Sequence, residues 1–271
     1  MKTTRRQFFR RSVATFGVAA AVTARTCDAR ASADSSPDTK LRISILSYSF
    51  RGLLAAGKMD VFGYLESCKY RYGLDAADLW NGFLPTLESS YLKKVREALE
   101  ERKLELADLA VDKAHVWEDD PGKREKNYQN ARAHLEAARQ LKARFVRFDA
   151  GGRGHSWSKE AFDHIVMRYK EYAQFAYDHG FKVGAENHWG PEAVWSNMQK
   201  LYRAVDHPGF GISCHLGGWT GSEVRAVSST GCPGTAVRTQ RRVRPPGRTR
   251  GIVQLCKPCL SNTSQPSRRR P

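Results

Sequence analysis

The sequence predicts an α/β protein built on a parallel sheet, and three observations lead there. Six short apolar runs recur along residues 41–215, and stretches with apolar residues at helical spacing separate them. Strands that alternate with helices must run parallel, because each helix carries the chain back to the edge where the previous strand began. No glycine-rich phosphate loop follows the first run, where Arg51-Gly52 is all there is. That disfavours a doubly wound dinucleotide-binding sheet and favours a closed barrel.

Each element has its own signal. Leu41–Phe50 reads as a strand through Ile43, Ile45 and Leu46 and ends in Ser47-Tyr48-Ser49. Lys58–Tyr70 reads as a helix with Val61, Tyr64 and Leu65 on one face, and Leu74–Trp80 as the second strand. In Leu87–Lys103 the residues Leu87, Tyr91, Val95, Ala98 and Leu99 recur at helical spacing, and Leu104–Val111 is the third strand. Lys123–Lys142 is helical, and Arg144–Asp149 is a fourth strand that stops at Gly151-Gly152. Ser158–His179 is a long helix with Phe162, Ile165, Tyr169, Ala173 and Ala176 inward and Gly180 as its cap. The fifth strand lies in Phe181–Gly190. Pro191–Val205 is a helix with proline in its first turn, and Gly209–Cys214 is the sixth strand, ending at His215.

The chain has 271 residues, 41% of them hydrophobic, enough for one substantial core with appendages. Its net charge of +17 points to nucleic acid until it is divided by region. Residues 1–40 carry +5 and residues 222–271 carry +10, which leaves only +2 on residues 41–221. A nearly neutral domain makes a poor nucleic-acid surface, so no nucleic-acid partner is expected.

Thr4-Arg5-Arg6-Gln7-Phe8-Phe9 carries an arginine pair, followed by a modest apolar run from Val13 to Ala24 and the small-residue site Ala31-Ser32-Ala33. The run is too short to span a bilayer comfortably, so no stable membrane anchor is expected. The pattern resembles a twin-arginine (Tat) export signal over residues 1–33, with a linker at 34–40. It implies the Tat machinery as partner and a periplasmic or otherwise exported location; the bland alternative is a basic amphipathic helix. Arg25-Thr26 before Cys27 makes a poor lipidation site.

Phe181-Lys182-Val183-Gly184-Ala185-Glu186-Asn187-His188-Trp189-Gly190 is the most informative stretch. An apolar run ends in a carboxylate, an amide and an imidazole, and alternation along a strand sends Glu186 and His188 to the same side. Charge is costly inside an apolar strand unless a metal, a polar substrate group or an opposite charge pairs with it. Taken alone, the stretch fits an internal salt bridge better than a functional site. Other strand ends also carry polar groups: Trp80/Asn81, Asp112/His115, Asp149 and His215.

With those residues in view, the chain resembles the sugar phosphate isomerase/epimerase family, the xylose isomerase-like TIM barrels. The matching stretches are Leu74–Asn81, Leu109–Asp112 with Ala114–Trp117, Gly184–His188 and Phe210–His215, within residues 41–221. The resemblance implies a (β/α)8 barrel and one divalent metal held at the ends of the fifth to eighth strands. Glu186 matches a residue that is both metal ligand and catalytic carboxylate. His215 stands at the sixth-strand ligand position, where the family usually has Asp; imidazole suits Mn²⁺, Zn²⁺ or Co²⁺ better than Mg²⁺. His188 resembles a substrate-contacting residue, and His115 and Trp80 are further candidate contacts; for both histidines a hydrogen-bonded structural role is the bland alternative. The implied partner is a small-molecule sugar, and the implied reaction is proton transfer next to a carbonyl through an enediolate.

After Trp219 the pattern changes. Residues 222–271 hold six of the eleven prolines, ten arginines, three of the six cysteines and a single acid, Glu223. The reading is therefore an incomplete barrel of about six β-α units, residues 41–221, followed by a disordered or out-of-frame basic tail. That tail is expected to lack two further strands, and the chain to have weak metal binding and negligible isomerase activity. Cys256-Lys257-Pro258-Cys259 lacks the second pair that a zinc or redox site needs, and Cys68 and Cys214 read as buried small hydrophobes. Two other functions compete: a non-catalytic sugar-binding protein, and an endonuclease IV-like DNA repair enzyme, which the neutral domain disfavours.

Overall fold

A computed structural model describes residues 42–215, 218–220, 236–238, 241–243 and 251–256. The expected signal (1–33) and linker (34–40) lie outside the described residues. Among those described, no helix is long and apolar enough to cross a membrane.

The chain runs β1 (Arg42–Ile45), α1 (Arg51–Ala55), α2 (Val61–Glu66), β2 (Ala76–Trp80), α3 (Ser89–Glu101), β3 (Glu105–Ala110), α4 (Pro121–Leu141), β4 (Phe145–Arg147), α5 (Lys159–Asp178), β5 (Lys182–Glu186), α6 (Trp195–Val205) and β6 (Phe210–His215). Three further strands follow: β7 (Ala236–Arg238), β8 (Arg241–Val243) and β9 (Gly251–Cys256). Strands β2 to β7 form one sheet in sequence order, every pair parallel. That singly wound order belongs to a barrel; a doubly wound sheet would reverse at a switch point.

The helices begin where the sequence offers caps. Asp60 accepts a hydrogen bond from the Gly63 amide at the start of α2, Asp120 from Lys123 before α4, and Ser158 from Ala161 before α5. Pro121 fills the first turn of α4, where a missing N–H costs nothing. The core lies between sheet and helices, with Tyr64, Tyr169, Tyr172, Phe148 and Phe210 among its largest fully buried side chains. Cys68 and Cys214 are buried, as expected, and burial pushes the Cys68 thiol up to about 12.

Two expectations need correction. The first strand is shorter than expected: β1 ends at Ile45, a tight turn covers Ser47–Phe50, and α1 follows. Beyond residue 221 the chain is not free of strands. β7 extends the parallel sheet beside β6, and β9 pairs antiparallel with β1, with Ile43 opposite Leu255. β9 also lies next to β7. Sheet edges carry backbone donors and acceptors that need partners, and almost any residue can supply them, so composition gave no sign of this pairing. The rest of the expected tail lies outside the described residues.

Candidate active site

The site gathers at the carboxyl ends of the parallel strands. Arg147, the last residue of β4, is buried with its side chain 6% exposed. Its Nη1 donates to Asp149 Oδ2 at 2.8 Å, its Nε lies 3.3 Å from Glu186 Oε2, and its Nη2 lies 3.6 Å from Asp112 Oδ1. Burial works against this charge, but Asp149, Glu186, Asp108 and Asp112 outweigh it and hold the guanidinium more firmly protonated than a free arginine. A buried cation is tolerable only under such compensation.

Asp149, Glu186 and His188 each present a ligand atom within 4.8 Å of the other two. Asp149 Oδ1 is buried, and no donor among the described residues reaches it. A buried acceptor without a donor is costly unless a ligand completes it. Two carboxylates and an imidazole form a mixed donor set suited to Mn²⁺, Zn²⁺ or Co²⁺. The observed oxygen and the donor chemistry therefore fit a divalent cation.

The expected residues are distributed around this point. Glu186 ends β5 and His215 ends the adjacent β6, with His215 Nδ1 3.8 Å from Glu186 Oε1. His188 is exposed and lies beyond the strand, because its amide bonds back to the Glu186 carbonyl at 2.8 Å and turns the chain. Its ring is 6.0 Å from that of His215. His115 lies 3.8 Å from Asp149 Oδ2 through Nε2 and 3.0 Å from Glu118 through Nδ1. Trp80 is further out, donating from Nε1 to Asp112 at 2.7 Å.

Four contributors were not assigned roles from sequence. Arg147 and Asp149 were detectable, since alternation places them on one side of β4 and a charge inside an apolar strand is itself a signal. Asn187 is fully buried and ties the two strand ends together: Oδ1 accepts from the His215 amide at 2.5 Å, and Nδ2 donates to the His215 carbonyl at 2.7 Å. Glu192, also fully buried, accepts from the Ala150 amide at 2.7 Å. Desolvation first, and then the Asp149 charge, hold Glu192 well above the usual carboxylate range. Nothing in the local sequence around Glu192 announces that contact.

A family model described as xylose isomerase-like TIM barrel matches residues 70–219, over half of the chain. The chain belongs to the xylose isomerase-like TIM barrel family. Solved structures agree with the fold of this family member. D-psicose 3-epimerase in the presence of D-fructose is 15% identical, with 76% of each chain covered and a TM-score of 0.57. The IolI protein with a bound zinc atom is 14% identical over 72% of each chain, TM-score 0.58. The probable 3-DHS dehydratase AsbF from Bacillus anthracis, involved in petrobactin synthesis, is 20% identical over 66% of this chain, TM-score 0.54. This xylose isomerase-like barrel spans 64% of the AsbF chain. No curated protein matches the sequence.

Proposed function

We propose that this chain binds a divalent metal and a small hydroxy-carbonyl sugar and moves the proton on the carbon next to the carbonyl, as sugar isomerases and epimerases do; the weak binding and negligible activity expected from the sequence left out Asp149, which adds a ligand and a second carboxylate. One observation carries the reading: Asp149 and Glu186 converge with His188 at the strand ends, and Asp149 keeps a buried oxygen without a donor. Zinc in the IolI structure and fructose with the psicose epimerase support metal and sugar as ligand classes.

Asp149, Glu186 and His188 would hold the cation, with His215 beside Glu186 on the next strand. Bound there, a divalent cation polarises the carbonyl and hydroxyl oxygens and stabilises the developing enediolate charge. Glu186 takes the proton and, once protonated, returns it to the neighbouring carbon, with Asp149 as the second carboxylate beside it. Arg147 lies against both acids and holds the two carboxylates in place. Asn187 fixes where the β5 and β6 ends stand, and His115 and Trp80 border the space for the sugar. The amino-terminal arginine pair supports an exported protein that folds before it crosses the membrane.

The test is a titration of the full chain with Mn²⁺ and Zn²⁺, followed by exchange of solvent deuterium into aldose and ketose sugars. Metal binding with exchange supports the proposal. Absence of both overturns it. Saturable sugar binding without exchange identifies a non-catalytic sugar-binding protein instead.

A further inference from the structure

A cavity of about 190 Å³ lies between α4 and α5. Arg124 and Tyr128 are four residues apart on α4, and His164, Arg168 and Tyr172 are spaced by four on α5, so each helix turns one face to it. Each guanidinium sits over an aromatic ring. Arg124 stacks over the Trp117 ring at 4.0 Å, and Arg168 over the Tyr128 ring at 3.9 Å. His164 packs edge-on against the same Trp117.

Charge in this cavity is not balanced. Arg168 Nη1 bonds to Glu171, but Glu171 is already shared with Arg132 and the Tyr128 hydroxyl. Glu125, the acid in the lining, accepts from Gln129. Arg124 has no carboxylate partner among the described residues, and Arg168 Nε is buried without an acceptor. Burial, and then the charges of Arg168 and Arg124, push His164 down and favour its neutral form, so one ring nitrogen is left to donate and one to accept.

We propose that this cavity binds a small oxyanion, a phosphate or carboxylate group, between Arg124 and Arg168. Arginines seated over aromatic rings are pre-organised forks for planar or tetrahedral oxyanions. The volume suits an ion or acid of a few heavy atoms; an apolar cavity of ~150 Å³ holds one benzene. His115 lines the cavity and also faces Asp149, so the bound anion would sit behind one wall of the candidate active site.

Metal-free full-length protein would be titrated calorimetrically with inorganic phosphate and, separately, with malonate, at fixed ionic strength. Millimolar binding of either anion is expected, weakened at least tenfold in Arg124→Gln and in Arg168→Gln, and the tighter of the two names the preferred group. Arg124 is half-buried and its side chain rests on Trp117, so circular dichroism would confirm that Arg124→Gln folds. Anion affinity unchanged in the folded Arg124→Gln protein, or no binding of either anion by the wild type, overturns the proposal.

Discussion

Arg147 Nη1 and Asp149 Oδ2 are 2.8 Å apart, on side chains that are both almost wholly buried. The pair is the electrostatic centre of the strand ends, because Glu186 lies on the same guanidinium. Removing one member of a buried pair leaves the other uncompensated. Arg147→Met is therefore expected to destabilise the domain by about 3–5 kcal/mol at neutral pH, read by urea denaturation. Arg147→Lys should recover only part of this, since an ammonium cannot fork between two carboxylates. A loss well below ~1 kcal/mol in Arg147→Met would show a pair no stronger than one at the surface.

Glu186→Gln keeps shape and removes charge. The amide is a weak base and a weaker ligand, so sugar proton exchange should disappear and Mn²⁺ affinity should fall by roughly tenfold or more, about 1.4 kcal/mol per tenfold. Calorimetry and deuterium exchange read the two losses separately. Retained exchange would remove Glu186 from the proton path.

Tyr64 accepts from the Asp78 amide at 2.8 Å and donates to the Ile45 carbonyl at 2.6 Å, joining β1 to β2. Tyr64→Phe leaves both backbone groups without that hydroxyl inside the core. A loss of about 1–3 kcal/mol in chemical denaturation is expected. An unchanged midpoint would mean that the two groups find other partners.

His134 is buried on α4, with Nδ1 2.9 Å from the Asn130 carbonyl, and burial holds its pKa below the usual histidine value. The folded protein therefore disfavours the proton that the unfolded chain takes up below about pH 6.5. Stability from this group is complete above that pH and is lost as pH falls through the lower folded value. His134→Gln should flatten the dependence of unfolding free energy between neutral and mildly acidic pH. Identical slopes for variant and wild type would assign the acid sensitivity elsewhere.

Changing both Arg5 and Arg6 to Lys tests export. Fractionation is expected to leave the double variant in the cytoplasm, whereas the unaltered chain reaches the periplasm, shortened to begin near Asp34. Equal periplasmic recovery of both would refute a Tat signal.

The fold was legible in the sequence wherever one element carried one strong period. The six apolar runs and the helices between them lie close to where the spacing put them, because burial on one face dictates that spacing. Glu186 stood out as a charge at the end of an apolar strand, and His215 was singled out only by the family resemblance. Glu192 was not, since its contact with the Ala150 amide joins segments 42 residues apart. Arg147 was overlooked although its parity in the strand matched that of Asp149. β7 to β9 were hidden for another reason: their backbone pairing answers the needs of β1 and β6, which no local pattern within 236–256 expresses.

Pairing of β1 with β9 also sets a timetable. Arg42 lies opposite Cys256, more than two hundred residues later in the chain. At synthesis rates of about 5–20 residues per second, β1 would wait roughly 10–40 s on the ribosome before that partner emerges. Strands β2 to β6 can associate with their neighbours as each appears, whereas β1 remains an open edge near the amino terminus throughout. The stretch Arg42–Ile45 is thus where a nascent chain is most open to a chaperone, or to pairing with a second unfinished copy.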